Sequence, residues 1–122
     1  FKVLPYKRPS SSFGYSQAIN KTWELYKIET DSPLAIRTRF KDSVMLIGWY
    51  MSKSNKINKI PLKDAYRQYL NYYLGWGNYA KQAYKTDKKA IIFAKSVQKQ
   101  SAIYKNQLKE CQKNLNNKYI IF

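Results

Sequence analysis

The sequence predicts an all-α fold, and three observations carry that prediction. Four stretches place apolar residues at steps of three and four, the period of a helix with one apolar face. No stretch of any length alternates apolar and polar residues as a half-buried strand does. Pro, Gly, Asn and Asp gather between the helical stretches, where a helix has to stop. The chain has 122 residues, 44% of them apolar. That suits one compact domain over residues 1–122, with residues 116–122 as an apolar tail.

Residues 1–16 carry Pro5, Pro9 and a serine triplet, so they read as irregular. Phe1, Val3, Leu4, Tyr6 and Phe13 make the segment too apolar for a free tail. Asn20 is the expected N-cap of a first helix over 21–29, with Trp23 and Tyr26 on its buried side. Asp31-Ser32-Pro33 breaks the chain. A second helix is expected over 38–53, where Phe40, Val44, Ile47, Gly48 and Met51 form one apolar face. Gly48 in mid-helix fits either a close approach by a neighbour or simple tolerance, at a cost of about 1 kcal/mol against Ala.

Asn55 to Pro61 reads as a polar turn. A third helix follows over 62–73, built on Leu62, Ala65, Tyr66, Tyr69, Leu70 and Tyr73. Gly75-Trp76-Gly77-Asn78 ends it, with glycine where a left-handed C-cap is expected. Tyr79 to Tyr84 reads as a helical turn. Thr86 or Asp87 should cap a last helix over 88–113. Its seam of Ala90, Ala94, Val97, Ser101, Tyr104, Leu108, Cys111 and Leu115 steps by four and three. Such a narrow seam suits a coiled coil or packing across a small helical domain. The tail Tyr119-Ile-Ile-Phe122 is apolar and is expected to dock.

Composition removes several chemistries. Histidine is absent, which excludes His-based acid/base catalysis and nearly all zinc sites, so no metal or cofactor is expected. Cys111 is the single cysteine, so no internal disulfide can form. No run of ~18 apolar residues marks a membrane-spanning helix. Lys and Arg number 23 against 7 Asp and Glu, a net charge of +16. Such a chain is drawn to polyanions: nucleic acid, anionic envelope polymers or acidic headgroups. No helix-turn-helix spacing or RNA-binding signature is visible, which disfavours nucleic acid.

Two loops can carry chemistry. Gly14-Tyr15-Ser16-Gln17 precedes the first helix, and Gly75-Trp76-Gly77-Asn78-Tyr79 follows the third. Aromatic, amide-bearing loops suit carbohydrate, because sugar faces stack on Tyr and Trp while hydroxyls pair with Gln and Asn. The residues alone leave a second reading open, in which Tyr15 and Trp76 are core residues and the glycines only turn the chain. The seven carboxylates fit solvated or capping roles.

With these motifs in order, the chain resembles the soluble lytic transglycosylases of the lysozyme-like superfamily, and most of all a bacterial envelope branch of them. That family carries a catalytic Glu-Ser, then Gly-Leu-Met-Gln, then Ala-Tyr-Asn-Ala-Gly. Gly14-Tyr15-Ser16-Gln17 stands at the second, with Thr22 where the family often has threonine. Asn71-Tyr72-Tyr73-Leu74-Gly75 stands at the third, followed by Trp76-Gly77. The wider likeness runs through Arg8-Pro9-Ser10-Ser11, Trp23, Gly48-Trp49-Tyr50, Asp64-Ala65-Tyr66 and Gln107-Leu108 to Cys111.

The resemblance implies the larger, C-terminal part of a lysozyme-like helical domain, with peptidoglycan glycan strands as partner. It implies that Tyr15, Gln17, Tyr72, Gly75, Trp76 and Tyr79 line the sugar cleft. Gln17 and Tyr72 are therefore expected on one groove wall. In active relatives one glutamate protonates the glycosidic oxygen between N-acetylmuramic acid and N-acetylglucosamine. It then takes the proton of the muramoyl C6 hydroxyl, giving a 1,6-anhydro product without water. That glutamate precedes the Gly-Leu-Met-Gln motif, and nothing in residues 1–13 is acidic. No catalytic residue is therefore assigned in this chain, and the acid is expected upstream of it. The branch also tends to carry His-Glu where Tyr73-Leu74 stands, a change that weighs against catalysis. Relatives tend to carry a second cysteine upstream, with which Cys111 would pair; a buried free thiol is the other reading.

Whether the protein is an enzyme stays open at this point. The alternatives are a non-catalytic wall-binding or structural subunit of an envelope-spanning complex with other envelope proteins, and a basic nucleic-acid-binding helical domain. The expected location is the bacterial periplasm or cell envelope, with outer-membrane association allowed.

Overall fold

The computed structural model describes residues 10–119. Phe1, Val3, Leu4, Tyr6 and the Arg8-Pro9 pair lie outside the described residues. So do Ile120, Ile121 and Phe122, and with them the docking expected of the tail. The described residues are helical, in the order α1 (Asn20–Glu29), α2 (Phe40–Asn58), α3 (Ala65–Leu74), α4 (Trp76–Ala80), a 3-10 turn (Ala83–Thr86) and α5 (Lys88–Tyr119). Among them the only β pairing is an isolated bridge between Phe13 and Ala18. The chain forms two compact units, Phe1–Ser52 and Lys53–Phe122.

In the first unit, α1 buries Trp23 and Tyr26, as their spacing predicts. Their rings lie 5.3 Å apart, Tyr26 meets Trp49 edge-on at 5.5 Å, and Trp49 meets Tyr50 at 6.2 Å. Such aromatic pairs add about 0.5–1.5 kcal/mol each beyond the area they bury. Leu46 is fully enclosed. The start of α1 corrects one expectation. Ile19, not Asn20, occupies the N-cap, and Asn20 is already helical. The Asn20 backbone N–H instead donates to Ser11 Oγ at 2.9 Å. The helix stops at Thr30, whose hydroxyl and N–H both return to Tyr26 O; Asp31 then takes a left-handed φ of 50°.

The second helix differs more from expectation. It runs past Lys53 to Asn58, so most of the expected Asn55–Pro61 turn is helical. No Gly or Pro stands between Lys53 and Pro61 to stop it earlier. The stop comes from Lys59, at φ 58°, while Asn55 Nδ2 reaches across to donate to Ile60 O at 2.8 Å. The apolar face of α2 is also mostly exposed: Phe40 is 65% accessible and Val44 49%. The buried row is Ser43, Leu46, Tyr50 and Ser54. Two hydroxyls occupy it because each has a hydrogen-bond partner outside α2: Arg37 O for Ser43, and Asn71 and Trp76 for Ser54.

In the second unit, α3 starts at Ala65 rather than at Leu62, which is exposed. Asp64 sets the start by capping: its Oδ1 accepts the Arg67 N–H at 3.0 Å and its Oδ2 the Arg67 guanidinium at 2.7 Å. The hydrogen bond and charge of Asp64 raise the Arg67 pKa above its ordinary value. Leu70, Ala90 and Ala94 form the core, where two alanines let α3 and α5 approach, with Tyr66, Tyr69, Tyr79 and Tyr84 packed around them. Burial, first of all, raises the Tyr69 and Tyr79 hydroxyl pKa values. The stretch from Trp76 is a short helix and the expected Tyr79–Tyr84 turn is a 3-10 turn from Ala83, so the chain resumes helix sooner than expected. Of the two expected caps, Thr86 and Asp87, it is Asp87 that serves α5, accepting the Ala90 N–H at 3.0 Å. That helix continues past 113 to Tyr119. Cys111 is a free, exposed thiol, not a buried one.

An added Cβ at Gly48 meets nothing within 4 Å among the described residues. Tolerance, not a close approach, is therefore the reading that fits. Gly48→Ala is expected to raise stability by up to about 1 kcal/mol in denaturant unfolding, through helix propensity alone.

Candidate functional site

The first loop is a tight turn closed by the Phe13–Ala18 bridge, in which the Phe13 N–H donates to Ala18 O at 3.2 Å and the Gln17 N–H to Gly14 O at 3.2 Å. Gly14 sits at φ +77°, and a Cβ there would stand 2.1 Å from Arg37 O. Glycine is required both by the backbone and by that contact. Arg37 holds the turn from outside. Its Nη1 donates to Ser11 O and to Ala18 O, both at 2.9 Å, and its guanidinium lies 5.3 Å from the Phe13 ring centroid. Ser43 Oγ on α2 donates in turn to Arg37 O at 2.9 Å.

This clamp presents two expected site residues. Tyr15 is 67% exposed, its ring edge-on to Phe40 at 5.4 Å, so it is a surface platform and not core. Gln17 is exposed in a left-handed conformation, φ 56°, with Nε2 donating to Gly14 O at 2.9 Å. Ser16, between them, is buried.

The second loop begins at Gly75, whose φ of 87° and ψ of 159° belong to a region essentially restricted to glycine. This corrects the expected left-handed cap: φ is positive, but ψ is extended. The Gly75 N–H still closes α3 by donating to Asn71 O at 2.8 Å. Trp76 then folds back onto the end of α2. Its Nε1 and the buried Asn71 Nδ2 both donate to Ser54 Oγ, at 3.0 and 2.6 Å. Asn58 Nδ2 donates to Asn71 Oδ1 at 2.8 Å and to Trp76 O at 3.1 Å. Lys53 Nζ lies 5.6 Å from the Trp76 ring centroid. A half-buried indole held on one edge and by its backbone keeps a fixed orientation, which stacking against a ring requires.

Tyr72 is half-buried in the same unit. Tyr79 is half-buried against Tyr84, ring centroids 5.2 Å apart. Tyr73 is exposed and stacks on Tyr69 at 6.0 Å. Gln17 lies in the first unit and Tyr72 in the second. A cationic groove of roughly 640 Å³ runs between the start of α3 and α5, lined by Lys63, Arg67, Lys95 and Lys105 among others; none of Tyr72, Gly75, Trp76 and Tyr79 lines it. Among the described residues no cluster of three or more His, Cys, Asp or Glu could hold a metal.

Sequence reasoning missed Arg37, Ser43, Ser54 and Asn58 as the residues that set the loops. One signal was available: Ser43 and Ser54 are eleven residues apart, close to three helical turns, and so share a face of α2. Arg37 offered none, since its partners lie far off in sequence.

A family model described as a transglycosylase SLT domain matches residues 1–111. No curated protein and no solved structure matches the chain.

Two substitutions test this geometry by thermal or denaturant unfolding. Gly14→Ala combines left-handed strain with a backbone clash, and is expected to cost roughly 3 kcal/mol or more. Ser54→Ala removes the acceptor shared by Asn71 and Trp76. It is expected to cost about 1–3 kcal/mol and to flatten the near-UV circular dichroism of the tryptophans.

Proposed function

The chain belongs to the transglycosylase SLT domain family, a peptidoglycan-related family of bacterial cell-envelope proteins, and we propose that it recognises peptidoglycan glycan strands. The observation that carries this reading is the pairing of the family match with two rigidly held aromatic loops at the family's motif positions. Tyr15 and Gln17 in the first unit, and Tyr72, Gly75, Trp76 and Tyr79 in the second, are the proposed sugar-contacting residues. The proposal includes the domain reading: residues 1–122 form the larger part of one lysozyme-like domain. It also places the protein in the periplasm, where anionic wall polymers meet the +16 charge. No helix of the described residues is long and apolar enough to cross a membrane.

Binding without cleavage is what these residues support. Glu24, the first carboxylate after Gly14, is 62% exposed and paired with Lys27 at 3.2 Å. A general acid must hold its proton near neutral pH, which calls for burial or an anionic neighbour. If an acid from elsewhere completes the site, the reaction is the non-hydrolytic cleavage that yields 1,6-anhydro ends. A second reading, a non-catalytic wall-binding or structural subunit of an envelope complex, is favoured by Tyr73-Leu74, which places a phenol and an aliphatic group where the branch that the chain resembles tends to carry His-Glu.

Pull-down on purified sacculi tests the proposal. The 122-residue chain is expected to bind, more weakly as salt rises, and to release no anhydro-muropeptide by mass spectrometry. Tyr15→Ala, at an exposed position, is expected to weaken binding by about 3–10-fold. Release abolished by Glu24→Gln would overturn the binding-only reading. Retention of the chain on DNA but not on sacculi would overturn the glycan reading.

A further inference from the structure

The second half of α5 carries a feature that glycan recognition does not use. All residues from Ser101 to Asn116 are exposed. Within them Tyr104, Leu108, Cys111 and Leu115 continue the four-and-three spacing that Ala94 and Val97 begin. Tyr104 is 61% accessible, Leu108 58% and Leu115 49%. Three large apolar side chains thus share one stripe on a helix in water, an arrangement that calls for a cover.

The flanks of the stripe say which cover fits. In heptad terms Leu108 and Leu115 are a positions, and Tyr104 and Cys111 are d positions. The e and g positions beside them decide whether two such helices attract or repel. In this lysine-rich chain, Gln100, Gln107 and Asn114 occupy g, and Gln98 and Gln112 occupy two of the e positions. The lysines of the region stand mostly outside: Lys95 and Lys109 at b, Lys99 and Lys113 at f. Within the stripe Lys105 is the exception, at e, and Lys118 falls at the next d position beyond it. In a parallel pair of identical helices each g residue meets the e residue five positions on in its partner. Gln100 then meets Lys105, and Gln107 meets Gln112. Neither pairing sets like charges together, and the second lets two amides exchange hydrogen bonds. A chain of net charge +16 would otherwise repel itself.

We propose that the stripe Tyr104–Leu115 of α5 is a self-association surface, which pairs two copies of this chain as a short parallel coiled coil. The inference is independent of the glycan reading. The free stripe spans only about 16 Å at 1.5 Å per residue, so the dimer is weak by itself. Parallel pairing puts the two Cys111 residues in one d layer, within reach of a disulfide. That gives the dimer a covalent trap. With oxidised glutathione, one Cys111 thiolate attacks the glutathione disulfide and releases one glutathione thiol. The other Cys111 thiolate then displaces the second glutathione from the mixed disulfide. Two protein thiols become one disulfide, and one glutathione disulfide becomes two thiols.

Sedimentation equilibrium of the reduced 122-residue chain tests the pairing. The apparent mass should climb from the 14.5 kDa monomer toward twice that value as concentration rises, more readily at high salt. Leu108→Lys places a charge in the seam. It should weaken dimerisation by about 100-fold or more, since each dimer loses two leucine contacts. Lys109→Gln, on the outer face, should leave it unchanged. Far-UV circular dichroism confirms that each variant keeps its helix, as exposed positions allow. Oxidised glutathione should convert the parent chain, but not the Leu108→Lys variant, to a disulfide-linked dimer. A chain that stays monomeric throughout and yields only the glutathione mixed disulfide would overturn the inference. So would a dimer indifferent to Leu108→Lys.

Discussion

The second helix turns hydroxyls, not its oiliest stripe, toward the interior, and both loops depend on that choice. Ser43 Oγ donates to Arg37 O, and Arg37 clamps the Gly14 turn. Ser54 Oγ accepts from Asn71 and from Trp76, and so fixes where the second loop leaves α3. A serine in mid-helix is neutral to unfavourable when its hydroxyl only competes for the helix backbone. Here each hydroxyl is directed at another element. A typical buried hydrogen bond contributes only about 0.5–1.5 kcal/mol net, yet leaving its partner unmade costs about 1–3 kcal/mol. The asymmetry makes these serines specific: an apolar residue of similar size would fit the space but take the donor from Arg37 O in one case and the acceptor from Asn71 and Trp76 in the other.

This dependence explains what was legible in the sequence. Helix positions follow from local period, and the interiors of all four long helices were readable in that way. Helix ends were readable where a side chain declares them, as Asp87 does. They were misread where the declaring residue was ambiguous. Asp64 follows Leu62, an apolar residue at a plausible helical step, so the apolar pattern drew the start of α3 too early. Asn20 has the chemistry of a cap, but its backbone N–H is taken by Ser11 from nine residues away. The buried face of α2 was not legible, because hydropathy equates burial with apolarity. Phe40, Val44 and Ile47 are exposed, while Ser43 and Ser54 are buried.

The loops show the same division. Glycine at positions 14 and 75 could be read as a conformational need, and both residues do take positive φ. Their surroundings could not be read. Arg37 reaches carbonyls 26 and 19 residues away, and nothing in an arginine among 23 cations singles it out. Asn71 was visible as part of a motif, but its partners Ser54 and Asn58 belong to a helix predicted to have ended. The error in the length of α2 and the failure to see the second loop's support are therefore one error. Extending α2 to Asn58 brings both partners onto it.

The carboxylates show what chemistry the described residues can support. All seven lie within residues 10–119, and none is fully buried. Asp64 and Asp87 cap helices. Asp42 accepts the Ile36 N–H and pairs with Arg39. Glu29 accepts from the Trp49 indole, and Glu24 pairs with Lys27. Asp31 and Glu110 are exposed. In most of these roles a carboxylate accepts hydrogen bonds or balances a cation. A single carboxylate that first donates and later accepts a proton needs the opposite surroundings: a dry wall, few cations and a neighbour that disfavours charge. The chain instead carries 23 cations against these seven acids, and Glu24, Asp42 and Asp64 pair with Lys27, Arg39 and Arg67. Such a surface suits gathering an anionic polymer and presenting rings to it, which is the work the proposed recognition assigns to Tyr15 and Trp76.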